Sequence, residues 1–213
     1  MTPLHPRARI IGLASSTGGP PALSKILSAL PADLPAPLLI AQHAIPGFVA
    51  GLVRWLATVT PLEVMVAATG TAPLPGRVYV PPDGCDLSID SALRLVTTHS
   101  DRLPCPSGDV LFLSMAAALG AEAAGVVLTG MGHDGTRGLA EIFQAGGATI
   151  AQDEASSVVF GMPRAAVESG AVREVLPLDD IARAIREVAT GRSERRTTPP
   201  SIARAAVPMK NRS

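Results

Sequence analysis

"RIIGLASSTGGPPALSKILSALP", residues 9–31, decides how the rest of the chain is read. Arg9–Ala14 is a short apolar run, the pattern of a strand buried on both faces. After the Gly-Gly pair, "PPALSKILSALP" reads as a helix, with proline at its start and apolar residues recurring along one face. A buried strand that turns directly into a helix is the opening of a βαβ unit. Between the two lie Ser15, Ser16 and Thr17. A tight turn would accommodate them, as would a phosphate-binding loop or a nucleophile held at the tip of a strand.

The same alternation continues outward. "APLLIAQH" (36–43) reads as a strand, "GFVAGLVRWLATV" (47–59) as a helix and "LEVMVA" (62–67) as a third strand. "PSGDVLFLSMAAALGAEA" (106–123) is helical, with Ser107 and Asp109 available for its first turn. "AGVVLTG" (124–130) and "ATIAQD" (148–153) are strands on either side of the helix "TRGLAEIFQAGG" (136–147). "PRAAVES" (163–169) and "LDDIARAIREVATG" (178–191) supply the last helices, with "REVLP" (173–177) a strand between them. This order predicts an α/β fold: a doubly wound, mainly parallel sheet with helices on both faces. One segment departs from it. "GRVYVPPDGCDLSIDSALRLVTT" (76–98) reads as short strands around a Pro-Pro-Asp-Gly turn, an antiparallel hairpin at an edge or in a flap. The folded domain is expected over residues 1–190. Residues 191–213, polar, basic and Pro-containing, are expected to form a flexible tail.

Composition narrows the function classes. Hydrophobic residues make up 47% and charged residues 17%, which favours a buried core; aromatics at 3% require that core to be mostly aliphatic. A formal net charge of zero argues against a general nucleic-acid binder. Two cysteines, Cys85 and Cys105, make no secreted disulfide framework. The N-terminus lacks a signal-peptide pattern, and no run approaches the roughly 20 apolar residues that span a bilayer. A cytoplasmic protein without membrane insertion is the expectation.

Ligands of an open parallel sheet meet the loops at the carboxyl ends of its strands. Three polar loops fall there: Ser15–Gly19, Gln42-His43 and Gly130–Gly135. They place a serine, His43 and Asp134 on one edge, the parts of a nucleophile–base–orienter triad. A serine hydroxyl needs a base to take its proton, and the base needs an anionic partner to fix its tautomer. Glycines after the serine let backbone N–H groups approach a developing oxyanion. Each part also has a plainer reading: a helix cap at the serines, a structural histidine at His43, a cap of the next helix at Asp134. Their convergence favours the triad, although the residues alone do not separate Ser15 from Ser16. Gly130, Gly132 and Gly135 also match a dinucleotide fingerprint, with Asp153 and Glu154 near the spacing of a ribose-binding acid. Asp134 would place a carboxylate inside that pyrophosphate loop, which counts against it. No Gly-Lys-Ser/Thr follows a glycine loop, and His43, His133 and Asp134 have no metal-binding spacing.

"SSTGGPPAL" (15–23), "LLIAQHAIPGF" (38–48), "PSGDVLFLSMA" (106–116), "VVLTGMGHDGTRGL" (126–139) and "ATIAQDEASSVVFGMPRAAVESGAV" (148–172) occur in this order. Together they resemble the catalytic domain of chemotaxis protein-glutamate methylesterases, the CheB family, over roughly residues 9–190. The resemblance implies hydrolysis of glutamate methyl esters on chemoreceptor helices with release of methanol; some members also deamidate glutamines. It implies Ser16 as nucleophile, His43 as base and Asp134 as acid, with Thr17, Gly18 and Met131 in the substrate or oxyanion neighbourhood, and no cofactor or metal. Ser15 takes a position where the family often has alanine.

Departures from the family pattern carry expectations of their own. The first strand begins only a few residues after Met1, so the family's N-terminal receiver domain, and its control in cis, are expected to be absent. Regulation would then be constitutive or supplied by a separate partner in trans. Gly84 and Cys85 stand where the hairpin often has a basic residue and a histidine, and Cys105 where arginine is common. These changes bear on substrate recognition and motivate an alternative: a non-catalytic chemosensory signalling module with the same fold. The changes bring a Cys85–Cys105 pairing into question, but two free thiols are expected in a reducing cytoplasm. His133 stands where asparagine is common.

Overall fold

The computed structural model describes residues 7–192, so the expected tail lies, beyond Arg192, outside the described residues. In chain order the elements are β1 (Ile10–Ser15), α1 (Gly19–Ser28), β2 (Leu38–Gln42), α2 (Val49–Val59), β3 (Glu63–Val66), β4 (Arg77–Val80), β5 (Cys85–Ile89) and β6 (Leu95–His99). Then follow α3 (Gly108–Leu119), a 3-10 turn (Gly120–Glu122), β7 (Ala123–Val127), α4 (Thr136–Gln144), β8 (Ala148–Gln152), α5 (Met162–Glu168), β9 (Glu174–Leu176) and α6 (Leu178–Thr190). Seven strands form one parallel sheet in the order β3-β4-β2-β1-β7-β8-β9; β5 and β6 form a separate antiparallel pair.

Every residue of β1, β2, β7 and β8 is buried, because helices cover both faces. Alternate side chains feed two cores. Ile11, Leu13, Leu38, Ile40, Val126 and Ile150 meet α1, α2 and α6 on one side. Ile10, Ala14, Leu39, Ala41, Tyr79 and Val127 meet α3, α4 and α5 on the other. Each fully buried Leu or Ile contributes about 1.5–3 kcal/mol, and it is these aliphatic layers that hold the strand ends in place. Winding reverses at β1: the chain runs from β1 outward through β2, and from β7 outward the other way through β8 and β9. The loops after β1 and β7 therefore diverge and open a crevice at the carboxyl edge.

Two expectations are corrected. The hairpin is shorter and takes up only the C-terminal part of the expected segment. Arg77–Val80 joins the main sheet, parallel to both β2 and β3, and the hairpin is β5 with β6. Pro-Pro-Asp-Gly does turn, with Cys85 N–H on Pro82 O at 3.2 Å, but it leads out of the sheet and into the hairpin. The hairpin's own reversal is built by Asp90, whose Oδ1 accepts from the N–H groups of Ala92 and Arg94, each at 2.9 Å. Leu87, Ile89 and Leu95 then bury the pair with α3, where Ser114 Oγ accepts from Ile89 N–H at 3.1 Å. The helix expected over 106–123 ends at Leu119; Gly120 stops it with φ 54°, and Ala123 already belongs to β7.

Candidate active site

The two serines after β1 have different fates. Ser15 is the last residue of the strand and fully buried, its Oγ donating to Gln42 Oε1 at 2.6 Å. At Ser16 the chain leaves the sheet. Its N–H donates to Thr129 O at 3.0 Å, and its carbonyl accepts from Gly19 N–H at 2.8 Å, closing a tight turn into α1. Gly18 makes the turn in the left-handed region at φ 79°, with Val158 packed where a side chain would stand. Ser16 is left half-buried at the crevice and Thr17 exposed beside it.

His43 follows the end of β2, one strand away, and its own N–H donates to Ser15 O at 2.9 Å. Its Nε2 meets Asp134 Oδ2 at 2.7 Å, with the two side chains only 13% and 9% exposed. A proton on Nε2 is the arrangement that satisfies this carboxylate, and it would leave Nδ1 to act as the base.

Asp134 is held by the start of α3. Oδ2 also accepts from Gly108 N–H at 2.6 Å; Oδ1 accepts from Ser107 Oγ at 2.8 Å and from Asp109 N–H at 3.1 Å. Gly108 permits this approach, because a Cβ there would lie 2.7 Å from Ala14 Cβ. Burial pushes the Asp134 pKa up, but the hydrogen bonds from His43, Gly108, Asp109 and Ser107 outweigh it and hold the carboxyl below its ordinary value. Asp134 is thus an anion fixed by a helix N-terminus, as an orienter of His43 requires.

The remaining sequence-predicted residues fall around this pair. Met131 is 74% exposed in the loop after β7. Among the described residues, the N–H groups of Thr17, Gly18 and Met131 have no hydrogen-bond partner. His133 is exposed and does not join His43. Cys85 and Cys105 are free thiols. Cys105 is buried, and burial, then Asp86, then Cys85 raise its pKa. Its carbonyl accepts from Ala44 N–H at 3.3 Å, and Asp86 Oδ1 accepts from Ser107 N–H at 2.6 Å, so the hairpin is tied to the site wall.

Sequence reasoning missed the buried polar side chains behind the site. Thr129 Oγ1 donates to Thr17 O at 2.9 Å, and Gln152 Oε1 accepts from Thr129 N–H at 2.9 Å. Gln42 Nε2 donates to the carbonyls of Ser16 and His43. Ser107 was legible only as a helix cap. The signal for Gln42 and Gln152 was present: each is an amide at the end of a strand that is buried throughout.

Comparison with known proteins places the chain in a family. The family model described as CheB methylesterase matches residues 11–185. A protein-glutamate methylesterase/protein-glutamine glutaminase 3 of Myxococcus xanthus (strain DK1622) is 54% identical over 188 residues, covering 88% of this chain and 53% of that one. A protein of the same activity name from the group 3 operon of Rhizobium meliloti (strain 1021) is 50% identical over 189 residues, covering 87% of this chain and 53% of its own length. The chain thus spans about half the length of these relatives. The crystal structure of the Thermotoga maritima CheB methylesterase catalytic domain superposes with a TM-score of 0.81 at 34% identity, over 85% of this chain and 98% of that one.

Proposed function

The chain belongs to the CheB methylesterase family, and on that premise we propose that it hydrolyses glutamate methyl esters on the cytoplasmic helices of methyl-accepting chemoreceptors, releasing methanol. The observation that carries the reading is the buried His43–Asp134 pair at 2.7 Å on the strand edge that presents Ser16.

Each step follows from a named group. Ser16 Oγ attacks the ester carbonyl carbon while His43 Nδ1 takes its proton. Asp134 stabilises the imidazolium through Nε2–H. The N–H groups of Thr17, Gly18 and Met131 are the candidates to receive the oxyanion, near the positive start of α1. His43 returns the proton to the departing methoxide, and methanol leaves. His43 then takes a proton from water, which attacks the Ser16 acyl group; the glutamate carboxylate departs and Ser16 recovers its proton. An amide in place of the ester gives glutamine deamidation by the same route, with ammonia leaving.

The surroundings suit a protein substrate. Ile45, Met131 and Val158, from the loops beside the site, are 76%, 74% and 70% exposed, an apolar rim that a helix surface can cover. Among the described residues no helix is long and apolar enough to cross a membrane; we place the reaction in the cytoplasm, where such receptor helices would be reached.

The test is methanol release from a methylated chemoreceptor cytoplasmic fragment. Release by the parent protein and its loss in Ser16→Ala is the expected result. A parent protein that binds the fragment and releases no methanol would instead support the non-catalytic signalling module.

A further inference from the structure

Gln42 closes a strand that is otherwise wholly apolar, and it is 4% exposed. The reaction proposed above makes no use of it. Its amide nevertheless has every polar atom engaged at the catalytic edge. Nε2 donates to His43 O at 2.8 Å and to Ser16 O at 3.1 Å, and Oε1 accepts from Ser15 Oγ at 2.6 Å. Two carbonyls can only accept, so they decide which end of the amide is nitrogen. The Ser15 hydroxyl then supplies the donor that the amide oxygen needs. Gly19 leaves the room, since a Cβ there would run into Gln42 Oε1.

We propose that Gln42 is a positioning residue: one buried amide grips the backbone of Ser16 and of His43 at once and so sets their separation, while Ser15 holds the amide in place. The inference rests on Ser16 and His43 acting as nucleophile and base. Proton transfer between them needs hydrogen-bond reach, and an error of about 1 Å in such a pair costs on the order of 100-fold in rate. Thr129 holds the same turn from the opposite strand, through its carbonyl on Ser16 N–H and its hydroxyl on Thr17 O. The nucleophile turn is therefore gripped from both neighbouring strands, but only Gln42 also grips the base.

The test is the rate at which a small fluorophosphonate labels Ser16, followed by intact mass from about pH 5 to about pH 9, in the parent, Gln42→Glu and Gln42→Met. Glutamate keeps the shape. When protonated it retains one donor; when ionised it turns oxygen toward two carbonyls and repels both. No charged side chain is hydrogen-bonded to the amide among the described residues, and His43, Asp83, Cys105 and Asp134 of the adjoining segments are common to all three proteins. The ratio of each variant to parent therefore isolates position 42. Gln42→Glu is expected to label about 30-fold slower or worse, with the ratio falling further as pH rises. Gln42→Met, which fills the space without a donor, is expected to lose about tenfold at every pH with the half-saturating probe concentration unchanged. Should Gln42→Glu fail to fold, Gln42→Met decides.

Ratios within about threefold of unity and flat with pH would overturn the proposal, as would a loss no larger than the loss of folded protein seen by near-UV circular dichroism. A parent protein that takes no label at Ser16 would overturn the esterase reading, and this inference with it; a labelled parent with indifferent variants would overturn this inference alone.

Discussion

Two histidine–aspartate pairs are found among the described residues, and they could hardly differ more in what surrounds them. His99 meets Asp101 at 3.1 Å on the hairpin side of the molecule, with side chains 73% and 95% exposed. His43 meets Asp134 at 2.7 Å, nearly sealed from water, with Ser107, Gly108 and Asp109 donating to the same carboxylate. Water and salt screen the first pair, so it orients nothing and adds little to stability. The second has its carboxylate held below the ordinary pKa by those donors, at the strand edge that also carries Ser16. Identical side chains become a site or an ornament of the surface according to the donors that converge on the carboxylate.

The largest effect expected from breaking that contrast is at the nucleophile. Ser16→Ala should lower ester hydrolysis by about 10⁴-fold or more with the melting temperature nearly unchanged, read from steady-state methanol release. Next comes Asp134→Asn, which leaves the size of the side chain but removes the anion. It should cost about 10³–10⁴ in rate and about 2–4 kcal/mol in stability at neutral pH. Because the folded pKa of Asp134 lies below the ordinary carboxylate value of about 3.9, its contribution is complete above that pH and is lost as pH falls through the lower folded value. Denaturant unfolding of parent and Asp134→Asn should therefore converge in acid; a stability gap that persists there would contradict the assignment. Ser107→Ala removes one donor to Asp134 and the cap on Val110 N–H, and should cost about 1 kcal/mol with a loss in rate of about tenfold or less. Asp101→Asn should be smallest of all, with stability within about 0.5 kcal/mol of the parent and unchanged turnover.

The same contrast explains what could be read from the sequence. Strands buried on both faces, such as β1, β2, β7 and β8, are near-continuous apolar runs, and their ends were legible to within three residues. Since ligands of such a sheet meet the strand ends, the loops carrying Ser16, His43 and Asp134 were legible with them. The hairpin side was not. Cys85–Ile89 and Leu95–His99 are mostly half-buried or exposed, and Pro-Pro-Asp-Gly is a stronger turn signal than the Asp90 turn that the chain uses to reverse. What stayed hidden at the site was tertiary: that α3 would aim its first N–H groups at a carboxylate in a loop 25 residues and more away, and that Ser15 would turn inward to Gln42. Two adjacent serines differ in sequence by one place, and only the end of β1 decides which is buried.

That decision is the point on which the account stands, and one measurement reaches it directly. The parent protein, Ser15→Ala and Ser16→Ala would each be treated with a small fluorophosphonate and weighed intact. The account predicts a single adduct on the parent and on Ser15→Ala, and none on Ser16→Ala. An adduct that vanishes with Ser15→Ala and survives Ser16→Ala would contradict it, because the activated hydroxyl would then be the one the structure buries against Gln42.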